Sequence, residues 1–156
     1  MDVYDFMSGC IEVERSVANI YRTFATMFPE DKDFWIELYR DELEHTIWLS
    51  IEKNIEAMDL LPADTPLPTP ELIENTLLNI RRQAARIRSN PVTLENALKT
   101  ALRIEGASIE IFTNEMSAKI FSASEKSLQE KLVTAEKIHI NKIENLMIDR
   151  GFLQLS

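Results

Sequence analysis

One cysteine in 156 residues, Cys10, excludes an internal disulfide and any metal site built from cysteines alone within a single chain. A lone thiol in a helical stretch reads as buried packing. Glycine and proline are also scarce, at three and six, which leaves room for long uninterrupted helices. No apolar run approaches the roughly 18–20 residues of a membrane span. The opening MDVYDFMSGC lacks the basic-then-apolar order of a secretory signal. Together these absences predict a cytoplasmic chain with no membrane partner. Positive charge is short as well: 17 lysines and arginines against 26 acids give a formal charge of −9, the wrong sign for nucleic acid. The one basic cluster, RRQAARIR at 81–88, has no interleaved aromatics and reads as a solvated helix face.

What is present fits a folded domain. Apolar residues make up 45% and charged ones 28%, which argues against disorder and predicts one domain over 1–156 with a real core. The prolines mark seams at Pro29, at LPADTPLPTP (61–70) and at Pro91. Apolar spacing between them is helical throughout. A first helix is predicted over about 3–28, on Ile11, Val17, Tyr21, Phe24 and Phe28. A second covers about 31–59, on Trp35, Leu38, Leu49 and Ile55. A shorter one follows at about 71–88. A fourth opens at Thr93 as N-cap and runs through Leu98, Leu102, Ile109 and Phe112. The last covers about 124–150, with Ser124 as cap and Gly151 as stop. The predicted fold class is all-α: four long helices, with the shorter one in a crossover at about 61–92 between the second and third.

The chain has two histidines, and each has a glutamate three places before it: Glu42 with His45, and Glu136 with His139. By composition alone that is about a one-in-a-hundred coincidence. Residues three or four apart share a helix face, and here the face is the apolar one. Glu42 and His45 interrupt Trp35, Leu38 and Leu49; Glu136 and His139 interrupt Leu132, Ile140 and Ile143. Glu14 sits between Ile11 and Val17 in the same way, and Glu105 between Leu102 and Ile109. Glu12 and Glu110 instead align with polar positions and read as solvated. The sequence also repeats itself. ERSVANIY (14–21) and EGASIEIF (105–112) each place an aromatic seven residues after the inward glutamate, and a Glu-x-x-His pair follows about 30 residues later. Four buried carboxylates repel one another and lose hydration unless cations neutralise them. Mixed carboxylate and imidazole donors suit iron or manganese better than calcium or structural zinc, although zinc can compete.

This constellation, one Glu from each of two helices and Glu-x-x-His from each of two more, resembles the di-iron carboxylate proteins of the ferritin-like superfamily. The rubrerythrin and bacterioferritin branches are nearest. The resemblance spans roughly 3–60 and 93–150. It implies a ferritin-like four-helix bundle in which Glu14, Glu42, His45, Glu105, Glu136 and His139 hold two iron ions, with two of the glutamates bridging. It also implies a homodimer and reduction of peroxide or dioxygen. Four departures limit it. The chain has no paired Cys-x-x-Cys for a rubredoxin-like site, so electrons must come from an external donor protein or from ferrous iron. Ser108 stands where rubrerythrins tend to carry an extra glutamate. Asp41 and Leu43 flank Glu42 where bacterioferritins place a haem-binding methionine, so no haem is expected. Only five residues follow Gly151, too few for the short fifth helix of cage-forming ferritins.

Two other functions fit the same residues. One is iron handling of the ferroxidase type, without turnover of another substrate. The other is a metal-stabilised interaction module that presents the helix at 71–88 through Arg81 and Arg82. Tyr21 and Phe112 read as core packing, with Tyr21 also placed to donate a hydrogen bond to a metal-bound carboxylate. Trp35 and Trp48 read as packing or subunit contact.

Overall fold

The structure is a computed structural model and describes residues 3–50, 69–107 and 126–154. Among the described residues there are five α-helices, one short 3-10 turn and no strand: α1 (Val3–Met27), α2 (Lys32–Ser50), α3 (Pro70–Ser89), α4 (Leu94–Glu105) and α5 (Lys126–Asp149). The all-helical class expected from the apolar spacing is what the described residues adopt. No described helix is long and apolar enough to cross a membrane. The chain forms two compact units, Met1–Asn90 and Pro91–Ser156. Their seam lies inside the expected crossover, where Asn90 is extended at φ −129°, ψ 139°, as a residue before proline prefers.

In the first unit α1 packs against both α2 and α3. Its buried positions, among them Met7, Cys10, Glu14, Val17, Tyr21 and Phe24, recur every three or four residues and form one broad apolar face. Cys10 is buried there, as expected of a packing thiol. The turn into α2 is set by Pro29 at the start of the 3-10 segment Pro29–Asp31, where a missing N–H and a fixed φ are both tolerated. An aromatic cluster closes this end. The ring of Trp35 lies 4.8 Å from Phe24, 4.9 Å from Phe34 and 6.0 Å from Tyr21, centroid to centroid. Both Trp35 and Tyr21 are fully buried, so each is a core residue; the side chain of Trp48 lies outside the described residues.

Helix α3 begins as its sequence dictates. Thr69 accepts a hydrogen bond from the Leu72 N–H at 3.2 Å, and Pro70 takes the first helical position. It buries Ile73, Leu77, Ile80 and Ile87. Gly9 of α1 makes the close approach possible, since a Cβ there would stand 2.9 Å from Ile73 Cγ2. Glu12, solvated as expected, pairs with Arg81 across the two helices. Both side chains are more than half exposed, so solvent screening leaves that pair little weight in stability.

In the second unit Thr93 caps α4 as predicted, accepting from the Asn96 N–H at 3.1 Å. The helix does not continue as far as expected. It ends at Glu105; Gly106 is its C-cap, and the Ala107 N–H bonds to the Ile104 carbonyl only three residues back. Glycine is the weakest helix former after proline, and the run of apolar spacing through Ile109 and Phe112 concealed that break. Helix α5 ends where Gly151 was expected to stop it. Gly151 has φ +78°, the Phe152 N–H reaches the Met147 carbonyl and the Gly151 N–H reaches that of Ile148. This double bond pattern satisfies the last carbonyls and needs a left-handed residue, which glycine supplies at no steric cost. Residues 51–59 of the predicted second helix, Ser108, Ile109, Phe112 and Ser124 lie outside the described residues.

Candidate metal centre

Five of the six expected ligands have described side chains, and all five are buried: Glu14 at 1% exposure, Glu42 at 0%, His45 at 8%, Glu105 at 2% and His139 at 2%. Glu136 lies on α5 three residues before His139; its side chain is outside the described residues. Ordinary surface Glu-x-x-His pairs would face water; Glu42, His45 and His139 do not.

The first unit gathers three of them. Glu14 comes from α1, Glu42 and His45 from α2, and one ligand atom from each lies within 4.8 Å of the other two. The Nδ1 of His45 is 3.6 Å from Glu14 Oε2 and 3.8 Å from Glu42 Oε2. Those separations exceed the roughly 2.7–2.9 Å of a charge-assisted hydrogen bond. They fit two ligands of one cation, because bonds of about 2.0–2.2 Å allow donor atoms to lie up to about 4.2 Å apart. Charge points the same way. Two carboxylates and one imidazolium leave this group at −1, whereas two carboxylates, a neutral imidazole and a divalent ion balance. The donor set therefore fits a bound divalent metal.

The second unit brings together the matching pair. His139 Nδ1 of α5 lies 3.3 Å from Glu105 Oε1 of α4, again longer than a strong ionic hydrogen bond and within reach of a shared cation. Thus each histidine faces the glutamate of the neighbouring helix that the internal repeat assigns to it. Glu105 holds the last position of α4, so its direction is set by the final helical turn, itself anchored by Ala97, Leu98 and Ala101 in the core.

Tyr21 is buried on α1 two turns beyond Glu14 and packs on Trp35. Thr46 was not foreseen in the sequence. It is buried next to His45, and its hydroxyl donates to the Leu43 carbonyl at 2.7 Å. A threonine bonding back to its own helix leaves no periodic signal, since its polarity resembles that of an exposed position. No protein-family model, curated protein or solved structure matches the chain.

Proposed function

We propose that the protein is a ferritin-like di-iron carboxylate protein that reduces peroxide or dioxygen with electrons from an external reductant. In this reading α1, α2, the helix opening at Leu94 and α5 are the long helices of a four-helix bundle, and α3 lies in the crossover. Glu14, Glu42 and His45, with Glu105, Glu136 and His139, are the ligands of two ions, and the protein works in the cytoplasm as a homodimer. The observation that carries the proposal is the burial of two carboxylates and an imidazole from two helices within reach of one cation.

Bound iron would supply the electron transfer; manganese and zinc are the competing occupants. The chain's own residues hold and shape the site. Glu14, Glu42 and Glu105 neutralise positive charge, while His45 and His139 present Nδ1 as neutral donors. The buried faces around Val17, Leu38 and Ile143 limit water. Reduction of one peroxide to two waters consumes two electrons and two protons. With a single cysteine and no Cys-x-x-Cys pair, the chain carries no thiolate relay, so a separate electron-donor protein or ferrous iron supplies the electrons.

Elemental analysis and anaerobic titration with ferrous iron test the reading, with two ions per chain expected. Repeated consumption of peroxide in the presence of a reductant supports the oxidoreductase. A single stoichiometric oxidation that leaves iron retained or transferred supports the ferroxidase-type alternative, which the same ligand set also favours. Absence of metal uptake rejects both.

A further inference from the structure

We propose that the outward face of α3, formed by Leu78, Arg82 and Arg86 with Arg88 on its flank, docks an acidic protein partner. The inference stands apart from the metal centre and does not depend on it. Helix α3 carries four arginines between 81 and 88 in a chain of net charge −9. Arg81 is engaged by Glu12. Arg82, Arg86 and Arg88 are exposed and form no ion pair among the described residues. Arg82 and Arg86 stand one turn apart, an i,i+4 pair of like charges that weakens a helix on its own. No acid occupies a position three or four residues from either of them. The negative end of the helix dipole favours arginines in the last turn, Arg86 and Arg88, but falls off before Arg82. Among the described residues, then, no acid offsets the Arg82–Arg86 repulsion.

The face is also held in a fixed direction. Ile73 seats against Gly9 at one end, the Glu12–Arg81 pair lies farther along, and the buried row Leu77, Ile80 and Ile87 faces inward. Arg82 and Arg86 consequently point away from α1. Leu78 lies one turn before Arg82 and is 46% exposed. An apolar residue beside a basic rim is the composition of a protein interface. One leucine is too small an apolar surface for membrane insertion. The chain's overall negative charge opposes the dense phosphate array of nucleic acid at long range. An acidic protein patch is compact enough to meet the arginines while the rest of the chain, repelling it, fixes the orientation of approach.

The test titrates the full chain, labelled with nitrogen-15, with a synthetic peptide of glutamates around a central leucine. Amide shifts confined to 78–89 are expected, with affinity falling at least about tenfold as salt rises from about 0.05 to 0.3 M. R82E/R86E should weaken binding at least about tenfold and the milder R82Q/R86Q about threefold, with helix content by circular dichroism unchanged in the latter. R22E/R103E, which changes net charge by the same amount as R82E/R86E elsewhere on the chain, should leave affinity unchanged. Equal loss in R22E/R103E, or shifts centred outside α3, would overturn the proposal. So would tighter binding to a single-stranded oligonucleotide of matched charge or to anionic phosphatidylserine vesicles. Self-association abolished by R82E/R86E without peptide binding would overturn it as well.

Discussion

Each unit pairs a buried histidine with the glutamate of a neighbouring helix, but the two scaffolds differ. In the first unit His45 faces two buried carboxylates, from α1 and from its own helix, at 3.6 and 3.8 Å. In the second, His139 faces the carboxylate of α4 at 3.3 Å. Glu14, Glu42 and His45 do not balance in any protonation state that keeps both carboxylates ionised. The first group, with two carboxylates around one imidazole, is therefore suited to hold a cation. The supporting helices differ too. Glu14 sits within a helix that runs on to Met27, whereas Glu105 is the last residue of α4, ahead of Gly106.

Metal loading should break this comparison most strongly. Ferrous or manganous ion at about a thousand times its dissociation constant should stabilise the chain by about 4 kcal/mol, read as a rise in unfolding temperature. H45A and H139A should each lower the bound metal from two ions per chain to one; loss of both ions in either variant would show that neither group binds alone. Replacing the buried acids tests the charge argument without metal. E14L/E42L should make the metal-free protein more stable by about 1–4 kcal/mol, since desolvated carboxylates give way to apolar packing. Chemical denaturation measures this, and a destabilised variant would mean the carboxylates are well compensated without an ion.

Smaller effects separate the two scaffolds. G9A should destabilise the first unit by about 1 kcal/mol, because the added methyl meets the stiff, β-branched Ile73 and outweighs the gain in helix propensity. T93A should cost the second unit about 1 kcal/mol by removing the α4 cap. G106A should have the smallest effect and the opposite sign. Its φ is −83°, and the nearest neighbour of a new Cβ is the Leu102 carbonyl oxygen at 3.3 Å. Alanine there should stabilise by about 0.5 kcal/mol through the unfolded chain. Denaturant titrations of the three variants rank them.

Much of this was legible before any coordinates. The Thr93 cap, the Gly151 stop, α3, the solvated Glu12 and the buried Cys10 all follow from local chemistry, and the structure places each as the sequence predicted. The end of α4 at Glu105 was not, because Ile109 and Phe112 keep a helical spacing across Gly106 and spacing does not register the low helix propensity of one glycine. Thr46 was missed for a related reason: a hydroxyl bonded to its own helix looks like any polar residue.

The sequence by itself determined which faces are apolar and which acids and imidazoles interrupt them, because helical periodicity maps position to direction. Only the tertiary structure decided that His45 meets Glu14 and that His139 meets Glu105. A distance between side chains on separate helices depends on how close those helices pack, and packing at Gly9, Trp35 and Ala101 is settled by the fit of whole side chains.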